Sequence, residues 1–250
     1  EMIAGGCDAD CHRRRFRTKL IAMGMCGYDR VIVEPSGIYD VDEFFDVLRD
    51  DPIDRWYEIG NVITVVDAKL ESEMSDEADY LLASEAANAG CIVLSRSQEA
   101  EDEEIENTVA HLNHAMEKVQ CKRRFKNEII IKDWETFGHG DYEKLLSCGY
   151  VSENYRKMHI EEGETFKSLY FMNLDKTKEE ITEAAEKVLE DRECGKVFRV
   201  KGFLKNKEEK WLELNATHQE IRTAPIPEGQ EVVIVIGEEM NEAKIRGYFS

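Results

Sequence analysis

Short apolar runs alternate with amphipathic helical patterns over the first part of the chain, and this alternation restricts the fold more than any other feature. The runs cover residues 31–34, 62–66, 91–94 and 128–131. Runs of this length, separated by patterns of helical length, are typical of parallel strands joined by crossover helices. The sequence therefore predicts an α/β domain whose parallel sheet is covered by helices on both faces.

The pattern changes after about residue 150. One strand-like run and one helical pattern are followed by several closely spaced strand-like runs, which is typical of an antiparallel sheet with helices on one side. We therefore predict a parallel-sheet domain over residues 1–150 and a smaller α+β domain over residues 151–250, with the linker inside residues 149–165. The predicted elements of the second domain are strands at 167–172, 196–204, 211–214, 220–223 and 231–236, and helices at 178–191 and 241–246.

Composition and charge exclude several classes of protein. Hydrophobic residues make up 42% of the chain, as in a folded globular protein. The formal net charge of -20 argues against a nucleic-acid partner, because phosphate backbones are bound by Lys and Arg. No apolar run is long enough to span a bilayer, so we expect no membrane association. The seven cysteines are irregularly spaced, which favours reduced thiols in a cytoplasmic protein over a disulfide framework.

The first apolar run ends directly in Glu34-Pro35-Ser36-Gly37. A carboxylate at the end of a parallel strand, followed by a glycine, is how nucleotide-binding α/β folds place a metal-directed acid beside a mobile backbone amide. The phosphate-binding motif G-x-x-x-x-G-K-[ST] is nevertheless not found in the 250 residues; the only Gly-Lys pair, Gly195-Lys196, is followed by Val197. Since the sequence begins with Glu1 followed by Met2, we expect the missing loop to lie upstream.

The cysteines nearest the start of the chain form a candidate metal site. Cys7, Cys11 and His12 combine thiol and imidazole groups at short spacing, which suits Zn²⁺, and Asp8 or Asp10 would supply an oxygen ligand. The alternative is a loop with two reduced thiols. His111 and His114 also share one face of a predicted helix, but two histidines without a third ligand favour a surface pair.

Several motifs in order resemble the CobW-like family, the metal-chaperone GTPases related to the urease and hydrogenase accessory GTPases. Gly6-Cys7 resembles the start of the family's cysteine motif, and Glu34–Gly37 resembles its switch. Val65-Val66-Asp67-Ala68 resembles a strand end of the nucleotide-binding domain. In the second domain, residues 198–203 and 235–237 resemble family strands. The resemblance covers nearly the whole chain and implies a P-loop-NTPase-like domain, without its first part, followed by a CobW C-terminal-like domain.

The resemblance also implies functional roles. Glu34 and Gly37 would act at the phosphates of GTP with Mg²⁺, and the Cys7, Cys11 and His12 segment would bind metal, with Zn²⁺ as the candidate. The implied activity is GTP hydrolysis coupled to metal trafficking, with a metalloprotein client and a possible homo-oligomer as partners. The residues that would bind the nucleotide are Ser36, Asp67, Ser95, Arg96 and Gln98.

The base-reading motif departs from the family pattern. The family's Asn-Lys-x-Asp stands here as Ser95-Arg96-Ser97-Gln98. An aspartate accepts two hydrogen bonds from guanine, whereas the amide of Gln98 accepts more weakly through its oxygen, so we expect weaker guanine specificity. With no phosphate-binding loop in the sequence, the alternative function is a non-catalytic metal-binding or protein-interaction module derived from a GTPase.

Overall fold

The chain folds into two compact units, residues 1–159 and 160–250, in a computed structural model. The boundary between them lies inside the predicted linker. The structure describes residues 9–35, 37, 41–71, 74–126, 128–157, 166–172, 174, 176–205, 210–218, 220–229 and 231–249.

The first unit is built around a parallel sheet. Its strands are β1 (Ile63–Asp67), β2 (Cys91–Ser95) and β3 (Ile129–Ile131), hydrogen-bonded in that order. The register aligns Ile63 with Cys91 and Asp67 with Ser95. These strands lie within a residue or two of three predicted runs, so the parallel α/β prediction is confirmed. The helices of this unit are α1 (Ala9–Cys26), α2 (Val41–Arg49), α3 (Asp76–Ala87), α4 (Asp102–Lys118) and α5 (His139–Leu146).

Helices α3 and α4 begin where local sequence caps their first turns. The hydroxyl of Ser75 accepts a hydrogen bond of 3.1 Å from the Ala78 amide, which satisfies one of the free N–H groups at the start of α3. At the start of α4, the Glu104 carboxylate accepts from the Glu101 amide at 2.9 Å in a capping box. The acidic run at 99–106 is therefore mainly a helix start.

The outer face of β1 is not covered by the described part of the chain, whereas the sequence predicts helices on both faces of the sheet. On β1, Thr64 and Val66 are buried, whereas Ile63 is 41% and Val65 is 62% exposed. Burial that alternates along the strand shows that only one face of β1 packs against other elements of the described chain.

The predicted first strand at residues 31–34 is wrong. Residues 31–35 are irregular, and Ile32 is 87% exposed. Three consecutive β-branched residues favour extended backbone, but a strand also needs a partner for its N–H and C=O groups. Among the described strands, this segment has none. Its apolar side chains, like those on the outer face of β1, therefore meet solvent.

The second unit is an antiparallel sheet with helices on one face, which confirms the predicted α+β class. Its strands are hydrogen-bonded in the order β4-β8-β5-β6-β7. A core of buried side chains from both helices and the sheet, including Ile181, Leu214, Val235 and Ile245, closes the inner face. The elements are β4 (Phe166–Met172), α6 (Lys178–Glu190), β5 (Lys196–Lys205), β6 (Trp211–Thr217), β7 (Ile221–Pro225), β8 (Val232–Glu238) and α7 (Glu242–Phe249).

Candidate functional site

The carboxyl ends of β1 and β2 bring two predicted site residues together. Asp67 and Ser95 are the last residues of their strands and lie side by side in the parallel register. The Ala68 amide donates to the Ser95 carbonyl at 2.9 Å, and the Ser95 hydroxyl donates to the Val66 carbonyl at 3.4 Å. In open α/β sheets, ligands bind beyond the carboxyl ends of the strands, so this edge is where a ligand site is expected.

Arg96 forms an ion pair with Asp67 across this edge. Its Nε lies 3.1 Å and 3.0 Å from the two carboxylate oxygens of Asp67, and a terminal guanidinium nitrogen also contacts the carboxylate. The same carboxylate accepts from the Lys69 amide at 2.9 Å. Arg96 has a φ of 56°, a left-handed conformation that few non-glycine residues adopt. Asp67 is thus held by a charged partner and a backbone amide, and Arg96 is turned towards β1.

Thr108 fixes the loop that follows β1, and its role was not evident from the sequence. Its hydroxyl donates to the Ala68 carbonyl at 2.9 Å and accepts from the Leu70 amide at 3.3 Å. Thr108 is buried on α4, so it ties the backbone after Asp67 to that helix. Ala68 and Leu70 are far from Thr108 in the sequence, so only the tertiary structure shows these contacts.

Gln98 lies in the short 3-10 turn Ser97–Glu99 that follows Arg96, and its side chain is exposed. The neighbouring Ser97 hydroxyl oxygen is shielded from solvent and has no hydrogen-bond partner in the described part of the chain. The turn therefore presents Gln98 outward, beside the Asp67–Arg96 pair. This placement leaves the Gln98 amide available to a ligand.

The switch residues are not joined to this cluster by any contact that the structure describes. Glu34 and Gly37 are both exposed, and Glu34 makes no hydrogen bond or ion pair with the described residues. Ser36 lies outside the described residues. The proposed roles of these residues thus remain predictions.

The candidate metal ligands lie largely outside the described part of the structure. Cys7 is not among the described residues, and Cys11 and His12 lie on α1, where their side chains are not described. The alternative prediction of a loop is wrong for these two residues, since α1 begins at Ala9. Among the residues whose side chains the structure describes, no group of three or more His, Cys, Asp and Glu could hold a metal ion.

His111 is not part of a simple surface pair. Its Nε2 lies 2.7 Å from an oxygen of Asp79, a carboxylate that is almost fully buried on α3. The Nζ of Lys118 lies 2.7 Å from the other oxygen and 2.6 Å from Asp76. Hydrogen bonds to Asp76 and Asp79 raise the pKa of Lys118. These contacts join α4 to α3 and give His111 a structural role.

The fold and this edge define a nucleotide-binding α/β domain followed by an antiparallel α+β domain. Residues 1–126 match the family described as CobW/HypB/UreG, nucleotide-binding domain. The chain therefore belongs to that family, which confirms the resemblance found in its motifs.

Two solved structures are also similar to this chain. One is the Zn(II)-bound YjiA GTPase from E. coli, with 15% identity, coverage of 98% of this chain and 77% of that one, and a TM-score of 0.33. The other is a Zn(II)-bound triple mutant of YjiA GTPase, with 17% identity, coverage of 93% and 74%, and a TM-score of 0.32. Comparison with curated proteins gives no match. No helix in the described residues combines the length and apolar character needed to cross a membrane.

Proposed function

We propose that this chain is a CobW-type GTP-binding protein that couples nucleotide binding to the handling of a metal ion. The observation that supports this proposal is the placement of Asp67, Ser95 and Arg96 at the carboxyl edge of a parallel sheet. That edge is where nucleotide-binding folds of this kind receive their ligand.

The described residues supply the base-reading side of the site. Gln98 is exposed in the turn that follows Arg96. The ion pair between Arg96 and Asp67 fixes the backbone at the start of this turn. The amide oxygen of Gln98 would accept a hydrogen bond from the guanine edge, and its NH2 group has no acceptor role. We therefore expect weaker and less specific guanine recognition than an aspartate would provide.

Glu34 and Gly37 would form the phosphate-sensing side. Glu34 would act through water on a Mg²⁺ ion held by the triphosphate, and the Gly37 amide would approach the γ-phosphate. The backbone amides and lysine of a P-loop are needed to hold the β- and γ-phosphates, and the 250 residues contain no such motif. We expect no hydrolysis by these residues without that loop.

The base-reading role can be tested with the exchange Gln98→Asp. Titration of the ¹⁵N-labelled chain with GMP and with AMP, followed by amide chemical shifts, gives both affinities. We expect similar weak affinities for wild type, and a preference of roughly tenfold for GMP in the variant, because a carboxylate accepts both guanine donors.

The neighbouring exposed residue Glu99 offers a matched control for this experiment. The exchange Glu99→Ala should leave both affinities unchanged. The proposed role of Gln98 is contradicted if Gln98→Asp binds GMP no better than AMP.

Metal binding would involve Cys7, Cys11 and His12. A thiolate is the form of cysteine that binds Zn²⁺, and the neighbouring Arg13, Arg14 and Arg15 favour that form. The zinc content of the purified wild-type protein should exceed that of a variant carrying Cys7→Ser and Cys11→Ser. Equal contents, measured by atomic emission, would rule out this site. The exposed Cys26→Ser variant is the control that should keep its zinc.

A non-catalytic metal-binding or protein-interaction module is the second candidate function. The Asp67–Arg96 pair favours it, because an arginine paired with Asp67 is less available to a nucleotide. In that case neither GMP nor AMP would shift the amides of residues 95–99. The zinc content of wild type would still exceed that of the variant carrying Cys7→Ser and Cys11→Ser.

A further inference from the structure

Two cysteines, Cys91 and Cys148, lie near one another at the amino ends of β1 and β2, at the opposite end of the sheet from the candidate nucleotide site. Ala89 and Tyr150 form an antiparallel bridge, and the Val151 amide donates to the Asn88 carbonyl at 3.1 Å. The bridge brings the segment that carries Cys148 beside the start of β2, where Cys91 lies.

Backbone contacts between the two segments support this close approach. A Cβ atom at Gly90 would lie 2.2 Å from the Gly149 carbonyl oxygen and 2.5 Å from that of Cys148. Glycine is therefore required at position 90, because a side chain would collide with the facing backbone.

Both cysteines also contact the carbonyl oxygen of Val62. The Sγ of Cys148 lies 3.9 Å from this oxygen, and the Cys91 amide nitrogen lies 3.4 Å from it. Cys91 and Cys148 are thus neighbours in space although they are far apart in sequence. Both are free thiols in the structure.

A cavity of about 460 Å³ gives access to the pair. Cys91 and Cys148 line it together with Gly90, Asp141, Lys132 and Lys144. Cys91 is buried, whereas Cys148 is partly exposed, so a reagent that enters the cavity would reach Cys148 first. Burial raises the pKa of both thiols, which slows their reaction at neutral pH.

We infer that Cys91 and Cys148 are a reversible redox modification site that closes to an intramolecular disulfide. The oxidant is a low-molecular-weight disulfide such as oxidised glutathione. The Cys148 thiolate attacks one sulfur of the oxidant and releases one glutathione thiolate. The Cys91 thiolate then attacks the Cys148 sulfur of the mixed disulfide and releases the second. Two protein thiols are oxidised and one glutathione disulfide is reduced to two glutathione thiols.

The disulfide would tie the end of α5 to the start of β2. It would also close a long loop of chain between the two cysteines, which restricts the unfolded state more than the folded one. The oxidised protein should therefore melt several degrees higher than the reduced protein.

The test is peptide mapping of the 250-residue chain after incubation with oxidised glutathione at about pH 8.5, where the thiols are more ionised. Trypsin releases Cys91 in the peptide of residues 70–96 and Cys148 in the peptide of residues 145–156. Without reduction, mass spectrometry should show these two peptides joined with the loss of two hydrogens. Dithiothreitol should release both.

Variants separate the pair from general thiol reactivity. Cys26→Ser removes an exposed thiol and should leave the joined peptide unchanged. Cys91→Ser should instead retain a glutathione adduct on peptide 145–156. The inference is overturned if wild type keeps glutathione on Cys148 without forming the joined peptide, or if Cys148 is joined to any other cysteine.

Discussion

The two sheets of the molecule differ in how completely their side chains are enclosed. In the second unit, β8 and β5 bury Val233 and Val200 completely under α6 and α7. In the first unit, β1 leaves Val65 62% exposed on its outer face. An antiparallel sheet with helices on one side is expected to have one open face, but a parallel sheet is normally covered on both. The comparison shows that the described part of the first unit has an apolar surface that its own helices do not cover.

One acid in each unit illustrates a second difference. In the second unit the buried Glu238 lies 3.4 Å from the Nζ of Lys196. In the first unit Glu85 lies on helix α3, most of whose residues are buried. Its side chain is partly accessible, and protein atoms surround most of its carboxyl group. Burial raises the pKa of Glu85 to about 8, so the carboxyl is largely protonated at neutral pH. Ionisation of Glu85 therefore lowers the free energy of unfolding of the first unit as the pH rises.

The exchange Glu85→Gln should have the largest effect. In wild type the unfolded chain ionises near the usual Glu value of 4.5, whereas the folded chain ionises near 8. Stability due to this group is therefore complete below the lower value and is lost as the pH rises to the higher one. We expect the variant to be about 4 kcal/mol more stable than wild type near pH 7.5, with little difference near pH 4.5.

Urea unfolding across this pH range measures the difference. The exposed Glu186→Gln on α6 is the matched control and should follow wild type at every pH. A Glu85→Gln variant whose advantage does not grow with pH would contradict the assignment of a raised pKa to Glu85.

A matched pair of valine exchanges tests the difference in enclosure. Val233→Ala removes two methyl groups from the closed core of the second unit and should cost about 2 kcal/mol. Val65→Ala removes the same groups from the open face of β1 and should cost below about 0.7 kcal/mol. Hydrogen exchange of each unit reports the two losses separately. Equal losses would mean that the outer face of β1 is covered in solution.

The Asp67–Arg96 ion pair should show a small coupling energy. The side chains are partly exposed, at 38% and 23%, so we expect a coupling energy of about 1 kcal/mol in a double-mutant cycle of Asp67→Asn and Arg96→Ala. The cycle cancels the cost of placing alanine at a φ of 56°, because that cost enters both sides. A coupling energy near zero would mean that the pair does not hold the turn that carries Gln98.

Local sequence predicted most of the elements because their signals are local. Caps such as Thr177 with Glu180 set the start of α6, and the β5–β6–β7 strands follow one another along the chain. Helices α1 and α5 were missed, since the basic run at 13–15 and the glycines around His139 obscure their periodicity. The predicted strand at 31–34 failed for another reason: β-branched residues cannot supply the distant partner that a parallel strand requires.

The candidate site was predicted only in part for the same reason. That Asp67, Ser95 and Arg96 lie close together could be predicted, because they stand at or directly after the ends of two strands and parallel register brings strand ends together. The bond between Arg96 and Asp67 and the anchoring by Thr108 could not, because they depend on side-chain directions set by the fold.

We propose that the 250 residues supply the base-reading side of a nucleotide site but not its phosphate cradle. Titration of the ¹⁵N-labelled chain with Mg²⁺-GTP and with GMP tests this most directly, because only a cradle distinguishes their phosphates. We predict weak binding of both, within about threefold of each other, with shifts centred on residues 95–99. Micromolar binding of GTP with a preference of about a hundredfold over GMP, or no shift at these residues with either nucleotide, would rule out this arrangement.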